Sequence, residues 1–161
     1  MGNRRQAREA AVQILYLRDI NPHEALDDAL RRFWEEQTYE TDVQQFGEAL
    51  ARGALEQRAA LDDHIRRVAE NWELDRIAAV DRNILRLAIY EMMYRDDVPP
   101  VVPINEAIEI AKKFSTKDSG KFVNGILDRI RKDLPRPART PKPAADAAVP
   151  PPPETSESKP S

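Results

Sequence analysis

Apolar residues return every three or four positions through most of the chain, which is the period of a helix face. Nowhere do they alternate with polar residues for long enough to make a strand. Over residues 6–17 the stripe consists of Ala7, Ala10, Ala11, Ile14 and Leu15. Asn21 and Pro22 then supply a cap and a preset first turn for a second helix, with Leu26, Leu30, Phe33 and Trp34 on one face. Asp42 caps a third, longer helix carrying Val43, Phe46, Leu50, Leu61, Ile65 and Val68, in which Gly53 marks a close crossing or a bend. Residues 74–94 differ, because Ile77, Ile84, Leu85, Leu87, Ala88, Ile89 and Met92 spread round most of the circumference and predict a central, buried helix. The run DVPPVVP must break it, since proline lacks an amide donor and restricts the residue before it. A further helix begins near Ile104 and ends near Phe114. After the turn STKDSG, residues 121–131 form the last one, with Val123, Ile126, Leu127 and Ile130 inward. Asn124 and Gly125 are poor helix formers, and their place inside it predicts a close packing contact. The pattern therefore predicts an all-α bundle of about seven helices over residues 1–133.

From residue 134 the periodicity stops. The segment 134–161 holds nine of the 13 prolines and no aromatic residue, and predicts a disordered, proline-rich tail. The chain of 161 residues is 41% hydrophobic and 33% charged, enough for one core. Its formal charge of -3 means that any nucleic-acid contact must come from a local basic patch. With no cysteine there is no disulfide framework, thiolate nucleophile or cysteine-based zinc site, a composition that fits the cytoplasm. No apolar run approaches the roughly 18 residues of a membrane span. The opening MGNRRQAREAAVQILYL does not read as a signal peptide either, because Gln13 and Arg18 bound a short helical stripe and no small-residue cleavage site follows.

Catalytic chemistry has little to stand on. His23 and His64 have no partner motif, and the adjacent pairs Asp62-Asp63 and Asp96-Asp97 do not face each other on a helix. Glycine-rich phosphate loops, HExxH and GxSxG are absent from the sequence. The expectation is a protein that binds, with no enzyme activity, cofactor or metal.

Two places suggest what it binds. Arg4, Arg5 and Arg8 gather at the start of the first helix, where positive charge opposes the helix dipole and costs a few tenths of a kcal/mol. They are either a solubilising terminus or an arginine arm for phosphates, whose oxygens the guanidinium fork matches. The second place is STKDSGKF, where Lys117, Lys121 and Phe122 sit beside Ser115, Thr116 and Ser119. Phe122 is a core residue flanking Val123, or else a stacking platform of the kind used by readers of single-stranded RNA.

Four stretches, in this order and spacing, resemble the bacterial NusB family of transcription antitermination factors: RRQAREAAVQILY, NILRLAIYEM, VPPVVPINEAIEIAKKF and DSGKFVNGILDRI. The resemblance runs from about Arg4 to Arg131 and implies a fold of two packed helical sub-bundles without catalytic activity. It further implies that the protein pairs with NusE, a small-subunit ribosomal protein. The pair would bind the single-stranded boxA element of ribosomal RNA transcripts and, with other Nus factors, keep RNA polymerase from terminating early. By the same resemblance Arg4, Arg5, Arg8, Asp118, Lys121 and Phe122 map to RNA contacts, and Asp75, Asp81 and Arg82 to the NusE-facing surface. Some relatives self-associate, so a homodimer is a further expectation. Here the arm is interrupted by Gln6 and Ala7, which implies weak binding to free RNA and greater dependence on NusE. The alternative is an RNA-targeting module related to those that begin some ribosomal RNA cytosine methyltransferases; such enzymes need a following cofactor domain.

Overall fold

The computed structural model describes residues 2–69 and 74–134, so the segment assigned to a tail lies outside the described residues from position 135 onward. Among the described residues the apolar stripes become seven α-helices and no strand: α1 (Gly2–Ile20), α2 (Leu26–Glu35), α3 (Thr41–Glu56), α4 (Arg58–Val68), α5 (Ala79–Tyr94), α6 (Val101–Phe114) and α7 (Lys117–Asp133). A short 3-10 turn, Leu74–Arg76, precedes α5.

The long third helix of the sequence reading is two helices. Gln57, at φ -102° and ψ 12°, ends α3 and starts α4. The break has a packing reason: α3 lies along α1, whereas α4 must turn to meet α5 and α7, and one straight rod cannot reach both. Gly53 is a close crossing, because the Tyr90 ring occupies the space where a Cβ would sit, with its hydroxyl oxygen 2.0 Å from that position. Gly125 is the opposite case. It is exposed, and a Cβ there would meet nothing within 4 Å, so the predicted packing contact at Asn124-Gly125 does not exist.

Proline placement moves the start of α6. The helix begins at Val101, three residues earlier than the sequence suggested, and Pro103 lies in its first turn. That position is permissive because the first amides of a helix have no intrahelical acceptor. α7 likewise starts earlier, at Lys117, capped by Thr116, whose hydroxyl accepts from the Ser119 amide at 3.1 Å.

α1 packs mainly on α3, with α2 alongside, and α4–α7 form the second group, in which α6 packs mainly on α7 and α5. α5 joins the two groups. Its residues Ile84, Leu85, Leu87, Ala88, Ile89 and Met92 are all buried, as the spread of apolar positions predicted. Buried with them are the polar side chains of Asp81, Asn83, Arg86 and Glu91. Asp19, at the end of α1, accepts from Arg58 (2.7 Å), Asn83 (2.9 Å), Arg86 (2.9 Å) and Arg82 (3.2 Å). Arg86 also donates to both carboxylate oxygens of Asp62, at 2.7 and 3.1 Å. Asp19, Asp62, Arg58, Arg82 and Arg86 thus each meet an opposite charge, as burial requires.

Burial pushes the Asp19 carboxyl up, but the hydrogen bond from Asn83 and the charges of Arg86 and Arg58 outweigh it and hold the group below its ordinary value. A depressed carboxyl contributes stability that is fully present above the unfolded-state pKa of about 3.9 and is lost as pH falls through the folded-state value. Urea unfolding followed from pH 7 down to pH 2 should therefore show an acid loss that Asp19→Asn flattens. The same variant should cost about 3 kcal/mol at pH 7, because Arg58 and Arg82 lose this counter-charge and Arg86 is left with Asp62 alone. An identical pH profile in parent and variant would remove Asp19 as a source of the acid sensitivity.

Candidate nucleic-acid interface

The first turn of α1 contains Arg4 and Arg5 and no acidic residue. Its counter-charge comes from elsewhere in the fold. Arg5 donates from Nε and Nη2 to the two oxygens of Glu106 on α6, at 2.7 and 2.9 Å. That hydrogen bond, ahead of the ionic attraction itself, holds the Glu106 carboxyl below its usual range. Arg4 sits over the ring of Phe46 from α3, with its guanidinium carbon 4.0 Å from the ring centre. Arg95, just past the end of α5, approaches the same ring at 5.3 Å while donating twice to Asp97 at 3.1 Å. A guanidinium on an aromatic face is worth about 0.5–1 kcal/mol at an exposed site, and it holds Arg4 in place with its charge still facing solvent.

Arg8 behaves differently from its neighbours and corrects the sequence reading. Its side chain is 5% exposed and grips Glu91, itself 2% exposed, through a fork of 2.8 and 2.9 Å. A guanidinium so enclosed offers no donor to a passing phosphate. Arg8 is the anchor of the cationic helix end, and Arg4 and Arg5 are its accessible charges.

The second cluster is built where α7 begins. Thr116 caps the helix, and the Ser115, Thr116 and Ser119 hydroxyls form a chain of contacts at 2.8 and 3.2 Å. The Ser119 hydroxyl in turn donates a hydrogen bond to Asp81 Oδ2 of α5 at 3.0 Å. The other oxygen, Asp81 Oδ1, is buried and has no hydrogen-bond partner among the described residues. Beside it runs a surface groove of about 320 Å³ lined by Arg76, Ile77, Asp81, Asp118, Ser119 and Phe122. Asp118 and Lys121 are exposed; the side chain of Lys117 lies outside the described ones. Phe122 is partly buried against the core and also borders the groove.

Of the three residues assigned to a partner surface, Asp75 alone is exposed, in the 3-10 turn. Asp81 is buried under Ser119. Arg82 is half-buried and donates to the carbonyls of Leu74 (3.3 Å) and Ile77 (2.9 Å), so it holds the turn against α5. Asp81 and Arg82 thus face into the fold, and the charged appearance of the segment misled because helix period does not reveal which charges are paired inside.

The sequence reading missed Phe46 as a seat for arginine and Glu91 and Glu106 as counter-ions. One signal was available: Glu91 is the one acidic residue in NILRLAIYEM, a stretch whose apolar positions spread round most of the helix, and a carboxylate buried there needs a cationic partner. It also missed an apolar groove of about 290 Å³ lined by Val12, Tyr16, Leu17, Val80 and Phe114, which joins residues far apart in the chain. Among the described residues no cluster of His, Cys, Asp and Glu could hold a metal ion, and no helix is long and apolar enough to cross a membrane.

Fold and surfaces together define a class: an all-α double bundle with a cationic helix end and a separate groove, of mixed lining, bordered by an aromatic ring. Within that class the match is specific, for the model of the NusB family covers residues 5–132, and the chain belongs to the NusB family. It is 50% identical to the transcription antitermination protein NusB of Anaeromyxobacter dehalogenans over 137 residues, 84% of this chain and 94% of that protein. The solved structure of T. maritima NusB superposes with a TM-score of 0.74 at 44% identity, covering 81% of this chain and 91% of that one. A crystal structure of the antitermination factors NusB and NusE in complex with double-stranded RNA contains a chain that matches with a TM-score of 0.74 at 27% identity, over 83% of this chain and 99% of that one. Membership places the chain among transcription antitermination proteins.

The Arg8–Glu91 pair makes a measurable distinction between anchor and contact. Arg8→Ala or Glu91→Ala alone should each cost about 3–5 kcal/mol in urea unfolding, because each leaves a buried charge without its partner. The apolar pair Arg8→Met with Glu91→Leu should recover most of that loss. Equal stability of parent and Arg8→Ala would mean that the pair is not anchoring the helix.

Proposed function

We propose that this protein acts in antitermination by binding, together with NusE, the single-stranded boxA element of nascent ribosomal RNA transcripts. In that role it would help RNA polymerase, with other Nus factors, to read through to full-length ribosomal RNA. The observation that carries this reading is that the fold holds two unlike surfaces on α5, the arginine end of α1 through Arg8–Glu91 and the groove at the head of α7 through Ser119–Asp81. Arg4 and Arg5 offer exposed guanidinium groups that suit phosphates in any sequence. The head of α7 offers Asp118 and Phe122 in the groove and the exposed Lys121 near it in the chain, a carboxylate, a ring edge and a cation, which suit unstacked bases. A protein of this family with NusE and RNA in one crystal supports the choice of partners. NusE would approach from the side of the exposed Asp75, and the site of action would be the cytoplasm, where transcripts emerge.

Arg8 enters only as the anchor. With about two phosphates met by Arg4 and Arg5, the slope of log affinity against log salt should carry about -1.4 from the arm, at roughly 0.7 per phosphate on a single strand. The test is a gel shift with boxA RNA in a salt series, with and without NusE. The expected result is a weak shift alone and a strong one with NusE, and no shift under either condition would overturn the reading. Replacing Arg4 and Arg5 by glutamine should flatten the slope by about 1.4. Phe122→Ala should weaken binding per folded molecule by about 1–3 kcal/mol if the ring stacks on a base. A variant that only loses stability would assign Phe122 to the core.

A further inference from the structure

Between the two surfaces lies the exposed side of α6, and its charges are arranged by depth. Arg5 stands 45% exposed above Glu106, which is 20% exposed. One helical stretch further on, Lys113 stands 60% exposed above Glu9 of α1, which is 13% exposed, with 3.0 Å between Nζ and Oε1. In each pair the carboxylate is recessed and the cation is outermost. A ligand arriving from solvent meets the cation first, while the carboxylate beneath fixes its position and leaves the remaining donors outward. Lys112 adds a third charge, 53% exposed and loosely paired with Glu109 at 3.4 Å.

The same residues span the distance between the two surfaces. Arg5 and Glu9 of α1 pair with Glu106 and Lys113 of α6, so the two helices advance in the same direction here. On its other flank α6 touches the start of α7: Lys112 Cγ lies 3.5 Å from the Cβ position of Gly120, next to the exposed Lys121. The order across the surface is therefore Arg4 and Arg5, then Lys113 and Lys112, then Lys121 and Phe122. From Glu106 to Lys113 the helix rises about 10 Å.

We propose that Lys112 and Lys113 form a phosphate-binding bridge over α6, on which one continuous RNA strand crosses from the arginines of α1 to the groove of α7. The inference rests on the reading of the protein as an RNA binder. It adds a path for the strand and two contact residues outside both clusters. Because both lysines are exposed and sit in a helix that tolerates glutamine, their neutralisation leaves the fold intact.

The test is fluorescence anisotropy with a labelled single-stranded boxA RNA of about 12 nucleotides, with NusE present, over a salt series. Lys112→Gln with Lys113→Gln should weaken binding several-fold at low salt and reduce the magnitude of the log-log slope by about 1.4, at roughly 0.7 per lost contact. Lys112→Arg with Lys113→Arg should keep the parent slope. Arg66→Gln, at an exposed position on α4, should also keep it, which separates a local bridge from a general effect of net charge. A sloped parent with an unchanged glutamine double variant overturns the bridge and leaves the RNA reading standing. A parent that shows no binding overturns both.

Discussion

α1 and α5 run antiparallel, and buried charge clamps them together at both ends. Near the start of α1, Arg8 grips Glu91 toward the end of α5. At the far end of α1, Asp19 collects Asn83, Arg86 and Arg82 from the first half of α5, and Arg58 from α4. Apolar packing alone would let two helices slide or rotate by a residue at small cost. Charged groups out of water allow no such freedom, because a slip leaves them unpaired at several kcal/mol each. The clamp therefore fixes the register of α1 on α5, and with it the relation between the first helix group and the second.

Everything at the cationic edge follows from that register. Once Arg8 is held, Arg5 and Arg4 fall one turn nearer the helix start, where Glu106 and Phe46 receive them. The helix end is unfavourable for positive charge on its own account, since the dipole opposes it and no acidic residue stands in the first turn. Neighbouring elements compensate: α6 supplies a carboxylate and α3 an aromatic face. Two of the three arginines remain exposed as a result, held in defined positions with much of their side-chain entropy already given up.

The groove at the head of α7 is organised by a different device. There a chain of hydroxyls leads from the Thr116 cap through Ser119 to Asp81, tying the start of α7 to α5. Among the described residues one buried oxygen of Asp81 has no donor, an arrangement that costs about 1–3 kcal/mol. The cationic helix end and the groove thus share α5 as a common support. In a family of transcription antitermination proteins, that leaves one buried helix holding two unlike surfaces.

The sequence by itself determined the helices, their apolar faces, the central place of α5 and the family, because a period of 3.6 residues and motifs of ten or more residues are local properties of the chain. It also picked out Arg4, Arg5, Asp118 and Lys121, which lie exposed in the two clusters, and Phe122, which borders the groove. Tertiary structure decided which charges were spent inside. Arg8 looks in sequence like Arg4 and Arg5, and Asp81 and Arg82 look like Asp75, yet the first of these sets divides at Glu91 and the second at Ser119 and the Leu74 and Ile77 carbonyls. Their partners lie 83, 38, 8 and 5 positions away, and the charges themselves carry no record of that distance. Helix breaks at Gln57 and starts before Pro103 were likewise set by what each segment packs against, since propensity alone permits either choice.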